Sequence, residues 1–583
     1  MCSSDLRIMN RKSFNKYVLV FILVTLAVSC NQQTSEPIEQ TPIARIEQMP
    51  SMPSPYKIID WKAKALGFDS LVYDLASQNP YGPFIWIDSA KRNLDQVTFG
   101  LYTVIHDVRQ GPKTNNGEFH ESLTSLEALI SAGLLGIDKT NQHGFNYVKM
   151  VQNYFNTDNH WNIVMNNTCP EVALNGGGYG RDWWYDVFPN VLYYAVADLY
   201  PGVENQDQIL LSVANQFYRA DSTLNGNYNY SYFDYSKMKG VVNNIPLQQD
   251  AAGGHSYVLL NAYRKFKEVK YLEGAMRATE ALEAQKESRF YEILLPFGAY
   301  TAAVLNAEQD KNYNVKQLLD WTFDGCQSKD GRFGWGVIAE KWGEYDVHGL
   351  QGSITDGGGY AFFMNSVVMS WPLVPMVKYE PQFARAIGKW MLNNVNASRL
   401  FYPDQVSDKN QWLPELKDIT GGLIGYEGVR KADDYNKPEL KGVSPVSLGD
   451  GPKWAPLQPK ESMFSLYSTA IAGVFGAMVE TTDVEGVLAL DCNVTDFYAQ
   501  NPFPTKLYYN PHQKVVEVSI NTGSPVDLYD IVAHKYLGKN LKGDNRIRIG
   551  ADQAVVIVQL PVGSTITKNK NRYSVNSTVF AYK

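Results

Sequence analysis

Several carboxylates in this sequence stand beside glycine-rich junctions, and that pairing suits the cleavage of glycosidic bonds. In residues 174–190, LNGGGYGRDWWYDVFPN, the glycines 176–178 free the backbone for tight or left-handed geometry. Tyr179, Arg181, Asp182, Trp184 and Asp186 follow at once. The device recurs in residues 356–360, DGGGY, which sets Asp356 where Asn175 stands, with Tyr360 behind it. Residues 250–255, DAAGGH, are a looser copy carrying Asp250, and Thr420-Gly421-Gly422 is a weaker one. Glycosidic cleavage needs two carboxyl groups in different protonation states, one to protonate the leaving oxygen and one to activate water or attack.

Asp182, Asp186, Asp250 and Asp356 are the acids at the junctions, and a further cluster lies in residues 335–348, WGVIAEKWGEYDVH. There Glu344 stands near Trp335 and Trp342 on the stretch leading to Asp356. A loop acid shielded by tryptophan has the raised pKa of a general acid. The expectation is that Glu344 donates the proton, Asp250 or Asp356 is the base, and Asp186 and Arg181 position the substrate. Tyr179, Trp184, Trp335, Trp342 and Tyr360 have rings that stack on sugar faces. The structural alternative is that the acids cap helices and the rings fill the core.

His255 and Tyr257 support a second chemistry, proton abstraction beside a uronate carboxylate, with Arg181 offsetting the substrate charge. Elimination on a polyanion calls for a basic cleft. The junctions carry mostly acids, which favours hydrolysis of a neutral glycan. A non-catalytic glycan-binding protein is the third reading. No C-x-x-C pair, Cys/His cluster or D-x-D-x-D-G spacing occurs, so neither metal nor cofactor is expected.

The elements that must hold these residues are mostly helical. Residues 122–137, 145–155, 208–220, 256–266, 271–285, 290–307, 314–323, 360–378, 382–394 and 462–480 carry apolar residues three and four apart, as does the run after Pro189. That gives about eleven or twelve helices, several apolar nearly all round, as inner helices with a second layer outside them would be. Near residue 490 the period changes. KLYYN, KVVEVSI, VDLYDIV, RIRIG and AVVIVQL alternate or run β-branched, separated by Thr-Gly-Ser-Pro and Gly-Asp-Asn turn signals, and predict a small antiparallel β-sandwich.

At 583 residues, 44% hydrophobic and 19% charged, the chain is long enough for a large core, and its net charge of −7 without a basic run excludes nucleic acid as a partner. Arg7, Arg11, Lys12 and Lys16 precede an apolar run too short to span a bilayer, which reads as a signal peptide. The run ends Leu26-Ala27-Val28-Ser29-Cys30, which resembles a bacterial lipoprotein processing site. That resemblance implies a lipid on Cys30 and a place in the cell envelope, on the outer membrane or the periplasmic face. The expected division is a signal peptide at 1–30, a Pro-rich tether at 31–56, a helical catalytic domain at 57–490 and a β-sandwich at 491–583.

A chain of about twelve helices with Gly-rich aromatic loops and a C-terminal β-domain resembles the six-hairpin (α/α)6-barrel carbohydrate-active enzymes. The resemblance implies a mainly α fold, an (α/α)6-type toroid, with a substrate cleft at one end among the loops entering the inner helices. A poly- or oligosaccharide is the partner it implies. The likeness is one of architecture and composition, and no catalytic residue is carried over from it.

Overall fold

The computed structural model describes residues 36–113, 120–169, 182–328, 334–353, 359–418, 420–431, 437–449, 458–500 and 502–583. Cys30, Tyr179, Arg181 and Asp356 lie outside these residues. The main helices, in chain order, are α1 (Trp61–Val72), α2 (Ser122–Leu134), α3 (Trp183–Leu199), α4 (Gln206–Leu224), α5 (Ala251–Phe266) and α6 (Val269–Glu283). They are followed by α7 (Leu295–Gln309), α8 (Val315–Asp324), α9 (Phe363–Val368), α10 (Ser370–Met376), α11 (Ala384–Ser398), α12 (Leu466–Ala470) and α13 (Gly473–Met478).

The sequence of each helix sets its layer. α6 buries Tyr271, Leu272, Ala275, Ala278, Thr279 and Leu282 at spacings of three and four, and leaves its charged residues outside. α7 is buried at almost every position, with neither a wet face nor a charge before Glu308. Such helices must be covered all round, and the packing does that. α2 packs on α3, α3 on α5, α5 on α7 and α7 on α10; α9, next to α10, meets α12, and α12 and α13 return to α2. These contacts close a ring. α1, α4, α6, α8 and α11 pack outside it.

At the contact between α5 and α7, two backbones nearly touch. A Cβ added to Gly253 would lie 2.6 Å from the Leu294 carbonyl oxygen, and one on Gly298 would lie 2.9 Å from the Gly253 Cα. The Gly-Gly of residues 250–255 was expected in a loop. It lies instead in the first turn of α5, where absent side chains allow the close approach. Similarly, α3 begins at Trp183, before Pro189, so most of the aromatic stretch after Asp182 is helical.

Within the helical region a five-stranded sheet runs in the order β5-β4-β3-β2-β1, with β1 Trp335–Val337, β2 Gln351–Ser353, β3 Tyr360–Phe362, β4 Gly428–Arg430 and β5 Val446–Leu448. Sequence periodicity had assigned residues 360–378 wholly to helix.

The C-terminal region is a six-stranded antiparallel sheet. Its strands are β6 (Val479–Thr481), β7 (Leu488–Asp491), β8 (Thr505–Tyr509), β9 (Val516–Asp530), β10 (Lys535–Ile549) and β11 (Ala554–Pro561), in the order β6-β7-β8-β11-β9-β10. The expected boundary at 490 therefore falls inside β7. The stretches Thr-Gly-Ser-Pro and Gly-Asp-Asn, read as turns, lie within the long β9 and β10. The pairing shifts register between Thr522 and Val526, so the hairpin is broken by an irregularity and not by a loop. Val518, Ile520, Ile547 and Ile549 of this hairpin share one apolar cluster with Tyr508, Val555 and Ile557. On the other side, Tyr509 lies against Gly388 of α11. Three short strands, β12 (Thr567–Asn569), β13 (Arg572–Val575) and β14 (Thr578–Tyr582), complete the chain.

The expected tether is docked where the structure describes it. The Ile38 N–H donates to the Val532 carbonyl and that of Thr41 to Gln382, each at 2.8 Å. Ile43 and Ile46 are fully buried, and Arg385 of α11 bridges Glu47 and Asp552 at 2.6 and 2.7 Å. Proline content suggested a free linker, but the isoleucines between the prolines pay for its ordering by burial.

Candidate active site

Buried acids stand at the start of successive inner helices. Glu121 immediately precedes α2, Asp182 precedes α3, Asp250 precedes α5, and Glu292 lies just before α7. Glu427 lies immediately before β4 and is equally buried. Helix N-termini favour negative charge, because their first N–H groups have no partner within the helix. Here that preference gathers several acids at one end of the ring.

Hydrogen bonds link the acids. Asp182 Oδ1 accepts from the Tyr291 hydroxyl at 2.9 Å and from Gln248 Nε2 at 2.8 Å. Gln248 in turn takes the Trp184 N–H at 3.0 Å on its Oε1, which fixes the start of α3. The backbone N–H of the same Tyr291 donates to Asp250 Oδ2 at 3.0 Å. One residue thus ties together two carboxyl groups from different helices. Asp250 makes no side-chain cap bond to its own helix, so the capping alternative fails for it. Burial raises the Asp250 pKa to about 7, helped by the nearby Glu292 charge and opposed by the Tyr291 N–H.

Glu292 accepts from Asn365 Nδ2 at 3.3 Å, and its carbonyl takes Gln351 Nε2 at 3.0 Å. Glu121 accepts from the Thr103 hydroxyl at 2.8 Å and from Asn166 at 3.3 Å. Tyr185, stacked on Trp184 with centroids 3.9 Å apart, has its hydroxyl pKa pushed up by burial and then by the charges of Glu121, Asp182 and Glu292. That joins three of the acids around one ring. Tyr467 does the same on the other side, raised by burial and then by Glu427, with Tyr185, Tyr360 and Glu121 also near. Tyr360 donates its hydroxyl to Glu427 Oε1 at 3.0 Å, while the Arg430 guanidinium lies 4.5 Å above its ring. Arg109 stands close to Glu121 and Tyr185 and is held by Asp107 through Nε and Nη2 at 2.9 and 2.6 Å.

Of the expected site residues, Asp182, Asp250, Trp184 and Tyr360 belong to this cluster. Asp186 is buried in the first turn of α3, and its carbonyl accepts from Asn190. Glu344 does not reach the cluster. It occupies the turn between the short strands Lys341–Trp342 and Tyr345–Asp346, its side chain is 65% exposed, and it pairs with Lys409 at 3.0 Å. The shielding expected from tryptophan is missing because Trp335 and Trp342 turn into the core, Trp342 donating to Glu340 at 2.8 Å.

His255 and Tyr257 are also in the core. His255 lies in a cage of Trp183, Phe217, Tyr228 and Tyr235, 2.7 Å from the Tyr235 hydroxyl, and burial lowers its pKa to about 3. The Tyr257 hydroxyl accepts from Trp371 at 3.1 Å. Neither presents a base to a cleft.

Glu121, Glu292, Glu427, Tyr291 and Tyr467 were missed because no triple glycine marks them. Glu121 did carry a signal, an acid directly ahead of an apolar helical run, while Glu292 fell inside the run read as 290–307, because α7 starts only at Leu295. Among the described residues no group of three or more His, Cys, Asp or Glu is arranged to hold a metal ion.

No protein-family model matches the chain, and neither does any curated protein. Among solved structures it is similar to one described as a glycoside hydrolase, at 10% identity over 79% of this chain and 76% of that one, with a TM-score of 0.36. It is also similar to a GH127 β-L-arabinofuranosidase from Geobacillus stearothermophilus T6, at 11% identity, 80% and 77% coverage and a TM-score of 0.36. A second GH127 β-arabinofuranosidase shares 10% identity over 94% of this chain and 85% of its own, with a TM-score of 0.35. At such scores the chemistry of the site rests on its own geometry.

Proposed function

We propose that the protein is a glycoside hydrolase built on an (α/α)6 toroid, cleaving a neutral poly- or oligosaccharide with two of the clustered carboxyl groups. The observation that carries this reading is the Tyr291 bridge. It joins Asp182, whose Oδ1 accepts from two neutral donors, to Asp250, whose pKa burial raises to about 7. Carboxyl groups whose surroundings push them into different protonation states are what acid–base cleavage of a glycoside needs. In this reading Asp250 protonates the leaving oxygen, Glu292 is the base, and Asp182 and Tyr291 hold the acid in place. The placement of His255 and Tyr257 in the core favours hydrolysis over elimination.

The test is a screen of purified protein on neutral and uronic polysaccharides, reading both new reducing ends and near-ultraviolet absorbance. Reducing ends from a neutral glycan, lost by about 10²–10⁴ in Asp250→Asn, are expected. Absorbance growth on a uronate polymer, or equal rates for Asp250→Asn and the parent, would overturn the assignment. Retention on a glycan gel with no turnover would make it a binding protein.

We also propose that Cys30 carries a lipid that anchors the protein to the cell envelope, supported by the basic residues, the short apolar run and the cysteine that ends it. Labelling with a palmitate analogue should mark the parent and not Cys30→Ala; equal labelling of both would reject the anchor.

A further inference from the structure

A cavity of about 370 Å³ lies at the far end of the ring from the acid cluster. It is bounded by the last turns of α5 and α7, the segment after α10, the loop between β7 and β8, and β14. α5 is 16 residues long, so this cavity sits about 24 Å along the helix from Asp250. Its size lies within the roughly 300–1,000 Å³ of small-ligand sites.

The floor is fixed. The Arg264 guanidinium donates to the hydroxyls of Tyr300 at 2.7 Å and Tyr379 at 3.1 Å, and pairs with Glu308 at 3.1 Å. Asp496 accepts from Tyr379 at 2.8 Å and from the Tyr300 hydroxyl, and Lys378 pairs with it at 2.5 Å. Tyr379 is stacked on Tyr582 with centroids 5.6 Å apart, and the Tyr498 hydroxyl is tied to the Tyr194 carbonyl at 2.9 Å. Rings held in this way lose no rotamer freedom when a ligand arrives. Around them the wall is polar, with Gln309, Gln500 and Thr578 lining the same space. Tyr263, partly buried, and Lys267, exposed in a left-handed cap conformation, stand among the lining residues.

We propose that this cavity is a saccharide-binding site, taking one or two sugar units of a glycan chain remote from the point of cleavage. Fixed tyrosine rings offer apolar faces to sugar C–H groups, and the amides, hydroxyls and ammonium offer partners to sugar hydroxyls. The composition suits a polyhydroxylated ligand better than an apolar one, which would strand the Arg264 and Gln309 side of the wall, or a polyanion, because Arg264 and Lys378 already pair with Glu308 and Asp496. Because the walls come from both the helical body and β14, a bound chain would bridge the two regions. The choice of a glycan as ligand rests on the hydrolase reading above.

The test uses Tyr263→Ala, Lys267→Ala and Gln500→Ala in the full chain, with melting temperature as a check on folding. Retention on affinity gels containing the polysaccharides of the screen, and turnover of a short soluble oligosaccharide, are measured for each. The expected result is retention weakened about 5-fold or more, the usual effect of removing one stacking ring or one hydrogen-bonding pair, with turnover of the short substrate unchanged. Variants that fold and are retained like the parent would overturn the site, whatever the turnover shows. A parent retained on no gel would overturn it as well. Failure of the hydrolase reading is separate: the parent would then release no reducing ends, while loss of retention in the variants would still locate the site here.

Discussion

Glu127 stands apart at the residue scale. It is in the middle of α2, fully buried, and neither carboxyl oxygen has a hydrogen-bond partner among the described residues. Burial, then the Glu121 charge, raises its pKa well above the ordinary 4.5. The folded protein therefore holds a proton that the unfolded chain releases above that value, so this residue makes stability fall as pH rises. Glu127→Gln should melt higher than the parent at pH 7, with a gap that widens with pH from about 4.5 upward. A constant gap would mean that Glu127 is ionised in the fold. Glu344 gives the opposite prediction. As a surface ion pair with Lys409, its change to Gln should alter stability by less than about 1 kcal/mol and leave turnover intact. A rate loss near 10²-fold would return it to the list of catalytic acids. Residue types alone could not separate these cases, because a glutamate among tryptophans reads the same whether the rings shield it or turn away.

At the scale of elements, the contact of α5 with α7 is the tightest joint beneath the site. Gly253→Ala would drive a methyl into the Leu294 carbonyl and should cost about 1–3 kcal/mol. It should also lower turnover, because Asp250 and Glu292 flank this joint on their separate helices. A variant as stable and as active as the parent would show that the joint is slack. Most helices were legible in the sequence, since a period of 3.6 survives any tertiary arrangement. Apolar character all round marked the inner ones. The failures came where local signals serve two purposes. Gly253 and Gly254 could mean loop or close packing, and only the partner helix decides. Gly523 to Pro525 could end a strand or disturb one, and here β9 continues because β10 pairs with both of its ends and β11 with the second. Asp250 was readable as a member of the acid cluster, whereas Glu427 was not, since nothing local shows that the start of β4 faces the start of α2.

Over the whole molecule, Asp496 is the link between helices and sheet. It is buried on the loop between β7 and β8, with Arg264 from α5 and Lys378 after α10 around it. Burial alone would raise its pKa, but Lys378 and Arg264 hold it below the ordinary 3.8. Its share of stability is present above that value and lost as pH falls through the lower folded value. Asp496→Asn should cost about 3–5 kcal/mol at neutral pH by leaving buried cations uncompensated. Its melting temperature should also be less sensitive to acid than that of the parent. Unchanged melting would mean that the helices and the sheet do not depend on this link.

The docking of residues 36–49 sets a working radius. With Cys30 as the proposed anchor, the first described residue, Glu36, follows it by six positions, a span of at most about 20 Å. Just after Glu36 the chain docks where Ile38 meets Val532, between β9 and β10. Under the anchor proposal, that corner of the sheet would be kept close to the lipid headgroups, and the body would swing about it as on a short pivot. It would work on glycans delivered to the envelope and would have no reach toward polymer held farther out.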